Sequence, residues 1–449
     1  MVIEQFEDKS LSHYAYAIVS KQEMVLIDPA RNIKPYLDFA AKHQAKIIAV
    51  IETHPHADFV SGHLELHQKL GTTIYCSALT GATYPHQSFD EDDVLTFGNI
   101  KLKAINTPGH SPDSISILLE QNGKQHAVFT GDALFIGDCG RPDLRETVGN
   151  LTAQREELAL QMYHSLRQKL MVLDDKTLVY PAHGAGTLCG KALSEANSST
   201  IGQEKISNWA LQEMPEAEFV KELIAGQPFV PKYFAAAVEL NKKGAENLET
   251  ALAKIKPGTE ILSVKEASRL DQSIVLVDTR PDTKFKAGHL PNSINLMASG
   301  KFETWLGSIV APGEAFYLAA EDEQALKQMI NATAKIGYES NIKEAFVLKA
   351  GNIQLEKLNE DAFTNNKSAY TIIDVRNPGE VEENPVFETA IQIPLHELRE
   401  RAGEISAEKP IVVHCAAGYR SAAGSSILES AFAGRAKVFD FGDGIAALL

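Results

Sequence analysis

Four cysteines in 449 residues, no two of them closely spaced, are too few to staple the chain. Cys76, Cys139, Cys189 and Cys415 are therefore expected as reduced thiols, each to be judged on its own chemistry. Basic residues are also scarce: 43 lysines and arginines stand against 59 aspartates and glutamates, a formal net charge of −16. Such a balance repels phosphate backbones and excludes long-range steering toward nucleic acid. Long apolar runs are missing too, since none approaches the roughly eighteen residues a membrane helix needs. The opening Met1-Val2-Ile3-Glu4-Gln5-Phe6-Glu7 lacks the basic start and apolar middle of a signal peptide. A cytoplasmic chain with small-molecule or protein partners, and neither nucleic acid nor membrane among them, is the expectation.

What is present is an ordinary globular composition, 44% hydrophobic and 23% charged, in a chain long enough for on the order of two to four domains. The first half alternates short apolar runs with helical stretches. The runs are Met24 to Asp28, Ile47 to Ile51, Ala127 to Thr130 and Thr177 to Tyr180, and Asn150 to Leu173 reads as a helix. That is an α/β pattern. A polar, then Pro/Gly-punctuated stretch places a boundary between about 245 and 262. Beyond it the chain repeats itself. Val277-Asp278-Thr279-Arg280 aligns with Ile373-Asp374-Val375-Arg376, and the same offset aligns Ala315 to Ala319 with Ile411 to Cys415. At a slightly shorter offset, Phe346 to Gly351 matches Lys437 to Gly442. Three domains follow, spanning 1–250, 258–352 and 353–449, the last two being tandem copies.

The chemistry gathers at strand ends. His54 and His56 stand two apart just after the buried-strand run Lys46 to Ile51, His110 follows Thr107-Pro108-Gly109, and Asp132 follows Thr130-Gly131. Neutral imidazoles and a carboxylate converging from separate loops suit a borderline divalent metal.

With Asp58 and His183 in the same order, these residues resemble the metallo-β-lactamase superfamily. The resemblance implies an αββα sandwich with its metal site at one edge. In that family a first metal is held by His54, His56, His110 and Asp132. A second is held by Asp58, the residue after it, Asp132 and His183. Here the residue after Asp58 is Phe59, and a phenyl ring offers a metal no lone pair. One metal with vacant positions is thus favoured over a binuclear hydrolase.

Two blocks, Gly131 to Asp143 and Tyr180-Pro181-Ala182-His183-Gly184, are similar to those of persulfide dioxygenases, in particular bacterial ones fused to rhodanese modules. That resemblance implies one Fe(II) per chain on His54, His110 and Asp132. A face of two histidines and a carboxylate leaves positions for dioxygen and substrate. His56, Asp58 and His183 become surrounding groups or alternative ligands. Arg141 and Asp143 would contact the thiol carrier, and Tyr180 would set its hydroxyl near the iron. Arg141 reads equally as a structural partner of Asp138 or Asp143. Cys189, soon after His183, is read either as a sulfane-sulfur acceptor at the mouth of the site or as inert. Cys139 and Cys76 read as packing.

At the other end, Val412-Val413-His414 runs into the loop Cys415-Ala416-Ala417-Gly418-Tyr419-Arg420-Ser421 and a helical stretch from Ala422 to Phe432. Loop amides and a helix N-terminus facing a cysteine stabilise its thiolate. The loop resembles a rhodanese active site, which makes Cys415 the persulfide-carrying nucleophile and assigns Arg420 and the loop amides to an anionic donor or acceptor. Tyrosine and dual-specificity phosphatases also pair cysteine with arginine, but no general acid is evident here. The middle copy has Ala319 opposite Cys415 and Gln324 opposite Arg420. Its Glu321-Asp322-Glu323 would repel sulfite or thiosulfate, so it reads as an inactive scaffold.

Together these readings make the chain an enzyme of persulfide metabolism. It would oxidise a low-molecular-weight thiol persulfide with dioxygen to sulfite and form or use thiosulfate at Cys415. Family resemblance also implies a homo-oligomer, dimer or tetramer. The alternatives are a zinc-dependent thioester hydrolase of the glyoxalase II kind and a non-enzymatic sulfur carrier.

Overall fold

The alternation of side chains along the first strands decides the architecture of the N-terminal half. In a computed structural model describing residues 1–144, 151–191, 193–256 and 258–447, the strand His13–Ser20 is buried along its whole length. It sends Tyr14, Tyr16 and Ile18 into one apolar cluster and Ala15, Ala17 and Val19 into another. A strand covered on both faces needs a second sheet on one side and helices on the other. Both are present. One sheet has the order β1 (Val2–Asp8), β2 (His13–Ser20), β3 (Glu23–Ile27), β4 (Lys46–Ile51), β5 (Thr73–Cys76), β6 (Gln87–Ser88). Among the described residues, the other runs from β7 (Val94–Phe97) through β8 (Ile100–Asn106), β9 (Ile115–Gln121), β10 (Lys124–Gly131) and β11 (Leu178–Pro181) to β12 (Ser199–Thr200).

Between the sheets lie Val25, Ile27, Ala49, Ile51, Leu102, Ile117, Ala127 and Phe129. Outside the first sheet, Met24, Leu26 and Val50 meet Tyr36, Phe39 and Ala40 of the helix Lys34–Lys42. Outside the second, Leu118, Val128 and Val179 meet Ala159, Met162, Phe219 and Leu223 from two further helices. Each large apolar side chain so buried contributes about 1.5–3 kcal/mol. The expected αββα order is therefore the observed one. The long helix runs Leu151–His164 and widens into a π-helical segment, Ser165–Leu170. Asn150, read as its start, and Pro257 at the expected boundary lie outside the described residues, as do the last two residues of the chain.

Packing divides the chain into two compact units, Met1–Leu248 with Lys335–Gly337, and Glu249–Ala334 with Tyr338–Leu449. In the second unit the repeat is realised as two parallel sheets of one topology. The middle copy has the order β14 (Ser293–Asn295), β13 (Val275–Asp278), β15 (Phe316–Ala320), β16 (Ile342–Val347). The C-terminal copy has β18 (Ile391–Gln392), β17 (Thr371–Asp374), β19 (Ile411–His414), β20 (Val438–Asp440). In each, an aspartate ends the second strand of the list, Asp278 or Asp374, and grips the arginine two residues on.

Candidate functional site

Three strand ends and one interstrand loop converge at one edge of the sandwich. β4 runs into Thr53 and His54, β10 into Asp132 and β11 into His183, while His110 lies between β8 and β9. Gly109, at φ 151°, packs its Cα against Met162, where a Cβ would lie 2.6 Å from the helix backbone. Only glycine lets the loop approach so closely and still present His110. The ligand atoms of His54, His110 and Asp132 all lie within 4.8 Å of one another, and all three residues are buried.

Each imidazole is aimed by its other nitrogen. His110 Nδ1 is 2.9 Å from the Arg141 carbonyl, and His183 Nδ1 is 3.2 Å from the Ser12 carbonyl. The Thr53 hydroxyl donates to Asp28, which leaves its lone pair for His54 Nδ1 at 3.0 Å. The Nε2 atoms are thereby turned inward, 3.7 Å (His54) and 3.4 Å (His110) from Asp132 Oδ2. Such tethering is what ligating histidines require. Among the described residues, the oxygens of Asp132 and Asp58 and the Nε2 of His183 are buried without a hydrogen-bond partner. Buried carboxylates without donors cost several kcal/mol unless a cation compensates them. The donor set fits a divalent metal.

A second group, His56, Asp58 and His183, is equally tight, its ligand atoms within 4.8 Å of one another. His56 Nε2 lies 3.1 Å from Asp28 Oδ1. Burial is the largest influence and would lower its pKa, but the charge and hydrogen bond of Asp28, joined by the Glu52 and Asp132 charges, together lift it to about 9. Asp58 is pushed up by burial. Phe59, at the position where the family has histidine, is buried with its ring packed at a tilt against His13 at 3.8 Å and His56 at 4.4 Å. Burial, with the neighbouring His183 and His56, pushes the His13 pKa well down. Sequence reasoning missed His13, Asp28 and Thr53. The faint signal was an acid closing the apolar run Met24 to Asp28 and a hydroxyl beside His54.

The other assignments divide. Cys189 is inside the site rather than at its mouth: its sulfur lies within 4.8 Å of the ligand atoms of Asp132 and His183, and burial with the Asp58 and Asp132 charges pushes its thiol pKa up. Arg141 is 1% exposed. Its Nε and Nη2 donate to Asp143 at 2.6 and 2.7 Å, and its Nη1 donates to the Leu188 carbonyl. The guanidinium therefore braces this loop through Asp143. Asp138 serves the Trp209 indole and the Lys191 amide instead. Tyr180 corrects the expectation. Its ring stacks on Phe129 (5.4 Å, 18°) and against Tyr16, among the side chains packed between the sheets. Strand alternation is the reason, since Val179 faces the helices and its neighbour must face the opposite way. Cys76 and Cys139 are buried thiols with raised pKa values, as packing residues should be.

In the second unit, Cys415 follows β19 and precedes the helix Tyr419–Phe432, which starts three residues earlier than expected. The amides of Gly418 and Ser421 donate to its sulfur at 3.2 and 3.3 Å. That cradle stabilises a thiolate. Arg420 gives both terminal nitrogens to Glu380, at 2.5 and 2.7 Å, and its charge holds the Glu380 carboxyl low against the push of burial. In this geometry the hydrogen bonds to the sulfur come from the amides, and those of the arginine go to Glu380. The middle copy brings no nucleophile, Ala319 ending the pairing of β15 with Asp278. Of its acidic run, Glu321 pairs with Lys284 and Asp322 caps the following helix.

A two-sheet sandwich with histidines and aspartates at this edge, matched over residues 9–183 by the model of the metallo-beta-lactamase superfamily, defines the class. The rhodanese-like domain model matches twice more, at 263–351 and 355–448. The chain belongs to the metallo-beta-lactamase superfamily and carries two rhodanese-like domains behind that fold. Its N-terminal half is homologous to the mitochondrial persulfide dioxygenase ETHE1 of Mus musculus, 31% identical over 222 residues, 49% of this chain and 78% of that one. A cytoplasmic hydroxyacylglutathione hydrolase of Arabidopsis thaliana is 33% identical over 176 residues, 38% of this chain and 63% of the relative. A crystal structure of a metallo-beta-lactamase from Staphylococcus aureus subsp. aureus COL matches with TM-score 0.68 and 30% identity, over 78% of this chain and 99% of that one. No helix among the described residues is long and apolar enough to cross a membrane.

Proposed function

We propose that residues 1–250 form a one-iron dioxygenase that converts a low-molecular-weight thiol persulfide to sulfite. In this reading 353–449 is a sulfurtransferase and 258–352 its inactive copy. One observation carries it: His54, His110 and Asp132 form a complete donor face, while the next expected donor position is filled by Phe59, packed against two imidazoles. Fe(II) held there would supply adjacent open positions for dioxygen and the terminal sulfur. The reaction balances as R–S–SH, O2 and H2O giving R–SH, sulfite and two protons. The chain's own contribution is orientation. The Thr53, Arg141 and Ser12 oxygens fix the rings, and the burial of all three ligands excludes bulk water. Cys189, buried beside Asp132, is placed to meet sulfur inside the site, and His56, Asp58 and His183 surround the ligands.

At the second centre, Cys415 carrying a persulfide passes its outer sulfur to sulfite. The S–S bond breaks, the new S–S bond of thiosulfate forms, and the electron pair left on Cys415 is stabilised by the Gly418 and Ser421 amides. The reverse direction, thiosulfate to thiol, uses the same groups. Keeping both centres on one chain raises the local concentration of the intermediate sulfite.

The test is the bound metal of anaerobically purified protein together with oxygen uptake on a small-thiol persulfide. One iron per chain with persulfide-dependent oxygen consumption is expected. The second reading, zinc-dependent thioester hydrolysis, is favoured by the intact His56, Asp58 and His183 group and the hydrolase relatives. Two zinc ions per chain and oxygen-independent cleavage would establish it in place of the first. A sulfur carrier would instead hold a stable persulfide on Cys415 without turnover.

A further inference from the structure

The two rhodanese-like copies share a buried brace and differ around their pockets. Arg376 binds Asp374 through Nε and Nη2, at 3.0 and 2.6 Å, and spends Nη1 on the Asn384 carbonyl. Arg280 grips Asp278 the same way, at 2.9 and 2.6 Å, but its Nη2 also makes the carbonyl bond, to Gly288 at 2.9 Å. Nη1 of Arg280 is left without a hydrogen-bond partner among the described residues, on a side chain only 5% exposed. Arg280 lines an open cavity of about 370 Å³, with Lys284, Lys349, Glu321 and the chain at Gly288, Ala350 and Gly351.

Two charged positions at this cavity have the opposite sign in the copy that holds Cys415, while Gln324 stands opposite Arg420. The repeat alignment puts Lys284 where the C-terminal copy has Glu380, and Lys349 where it has Asp440. Two acids have become bases. Lys284 pairs with Glu321 at 2.7 Å. Lys349 instead donates to the Glu321 main-chain carbonyl at 2.6 Å and forms no ion pair among the described residues. An unspent guanidinium nitrogen and two ammonium groups, on a chain of net charge −16, converge where no nucleophile stands.

We propose that this cavity in the middle copy binds a small oxyanion, such as sulfite, thiosulfate or phosphate, and does not transform it. Charge-assisted bonds from a guanidinium and ammonium groups are the chemistry that recognises such anions. The inference does not depend on the reaction at either catalytic centre.

The experiment is calorimetric titration of the full chain carrying Cys415→Ser with sulfite, thiosulfate and phosphate in turn, repeated with Lys349→Met or Lys284→Met added. Both lysines lie toward the surface, so the variants should fold, and circular dichroism checks that they do. The expected result is a binding event in the parent that weakens roughly tenfold or more in each lysine variant. A preference for the sulfur anions would tie the site to the chain's own product and equal binding of phosphate would make it a general oxyanion site; both uphold the proposal. No binding in the parent, or binding that both lysine variants leave unchanged, as an anion held at the metal centre would be, overturns it.

Discussion

Alanine at position 140 should dismantle the metal centre without touching a ligand. The segment from Asp132 to Gly140 folds back on itself, with Leu134 bridged to Cys139. Gly140 thereby lies against the backbone of Asp132, and an added Cβ would sit 1.9 Å from the Asp132 carbonyl oxygen and 3.1 Å from His110 Cβ, where ordinary contact starts at 3.4 Å. The nearest obstacle is main chain, so no rotamer change relieves it. The turn must open by more than about 1 Å, and displacements of that size cost on the order of a hundredfold where geometry matters. Overpacking of a buried site costs about 1–3 kcal/mol; the upper end applies here, equivalent to a melting shift of roughly 10 °C for a unit of this size. The assay pairs iron content after anaerobic reconstitution with thermal melting. Gly379→Ala is the control, because nothing lies within 4 Å of its added Cβ. Wild-type iron content and melting in Gly140→Ala would refute the reasoning that this close approach positions Asp132 and His110.

Three further outcomes are expected. Cys415→Ser should abolish thiosulfate formation while sulfite formation and oxygen uptake continue; loss of both would show that the centres are not separable. Phe59→His restores a donor beside His56 and Asp58, and metal analysis should then rise from one toward two ions per chain. Asp143 is held below the usual carboxylate range by Arg141, against the upward push of burial. Its contribution to stability is therefore complete above the unfolded value of about 3.9 and is lost as pH falls through the lower folded value. Asp143→Asn should cost about 3–5 kcal/mol near neutrality by leaving Arg141 buried and uncompensated, and the gap between variant and wild type should close in acid unfolding curves.

What could be read before folding was whatever a strand end announces. His54, His110 and Asp132 each follow an apolar run or a Gly-containing turn, which marked them as candidates, while the inclusion of His183 and the division of ligands came from the family resemblance. Tyr180 was misread because its nearness to His183 in the chain suggested nearness in space. The two-residue period of β11 overrides that suggestion, sending Val179 to the helices and Tyr180 between the sheets. His13 and Asp28 were not legible, because their roles exist only once the first sheet closes on the second. His13 bridges to His183 across that closure, and Asp28 reaches Thr53 and His56 only from its left-handed backbone, at φ 49°. The rival readings of Arg141 were separated by loop geometry, which brings Asp143 and not Asp138 to the guanidinium.

The tandem copies carry this reasoning further, because they face one fold and two tasks. Residues that agree between them, Asp278 with Arg280 and Asp374 with Arg376, are buried and bond each other in the same manner. They hold the loop after the first strand of each copy against the sheet, a demand that the fold makes whatever the pocket does. Residues that disagree stand where the pocket is: Ala319 for Cys415, Gln324 for Arg420, Lys284 for Glu380 and Lys349 for Asp440. Loss of function alone would explain a missing nucleophile. It does not explain why two acids of one copy correspond to two bases in the other, Lys284 and Lys349, that line a single cavity. The difference between the copies thus separates framework from chemistry inside a single chain, and it marks the middle copy as a pocket with a changed ligand preference rather than an empty shell.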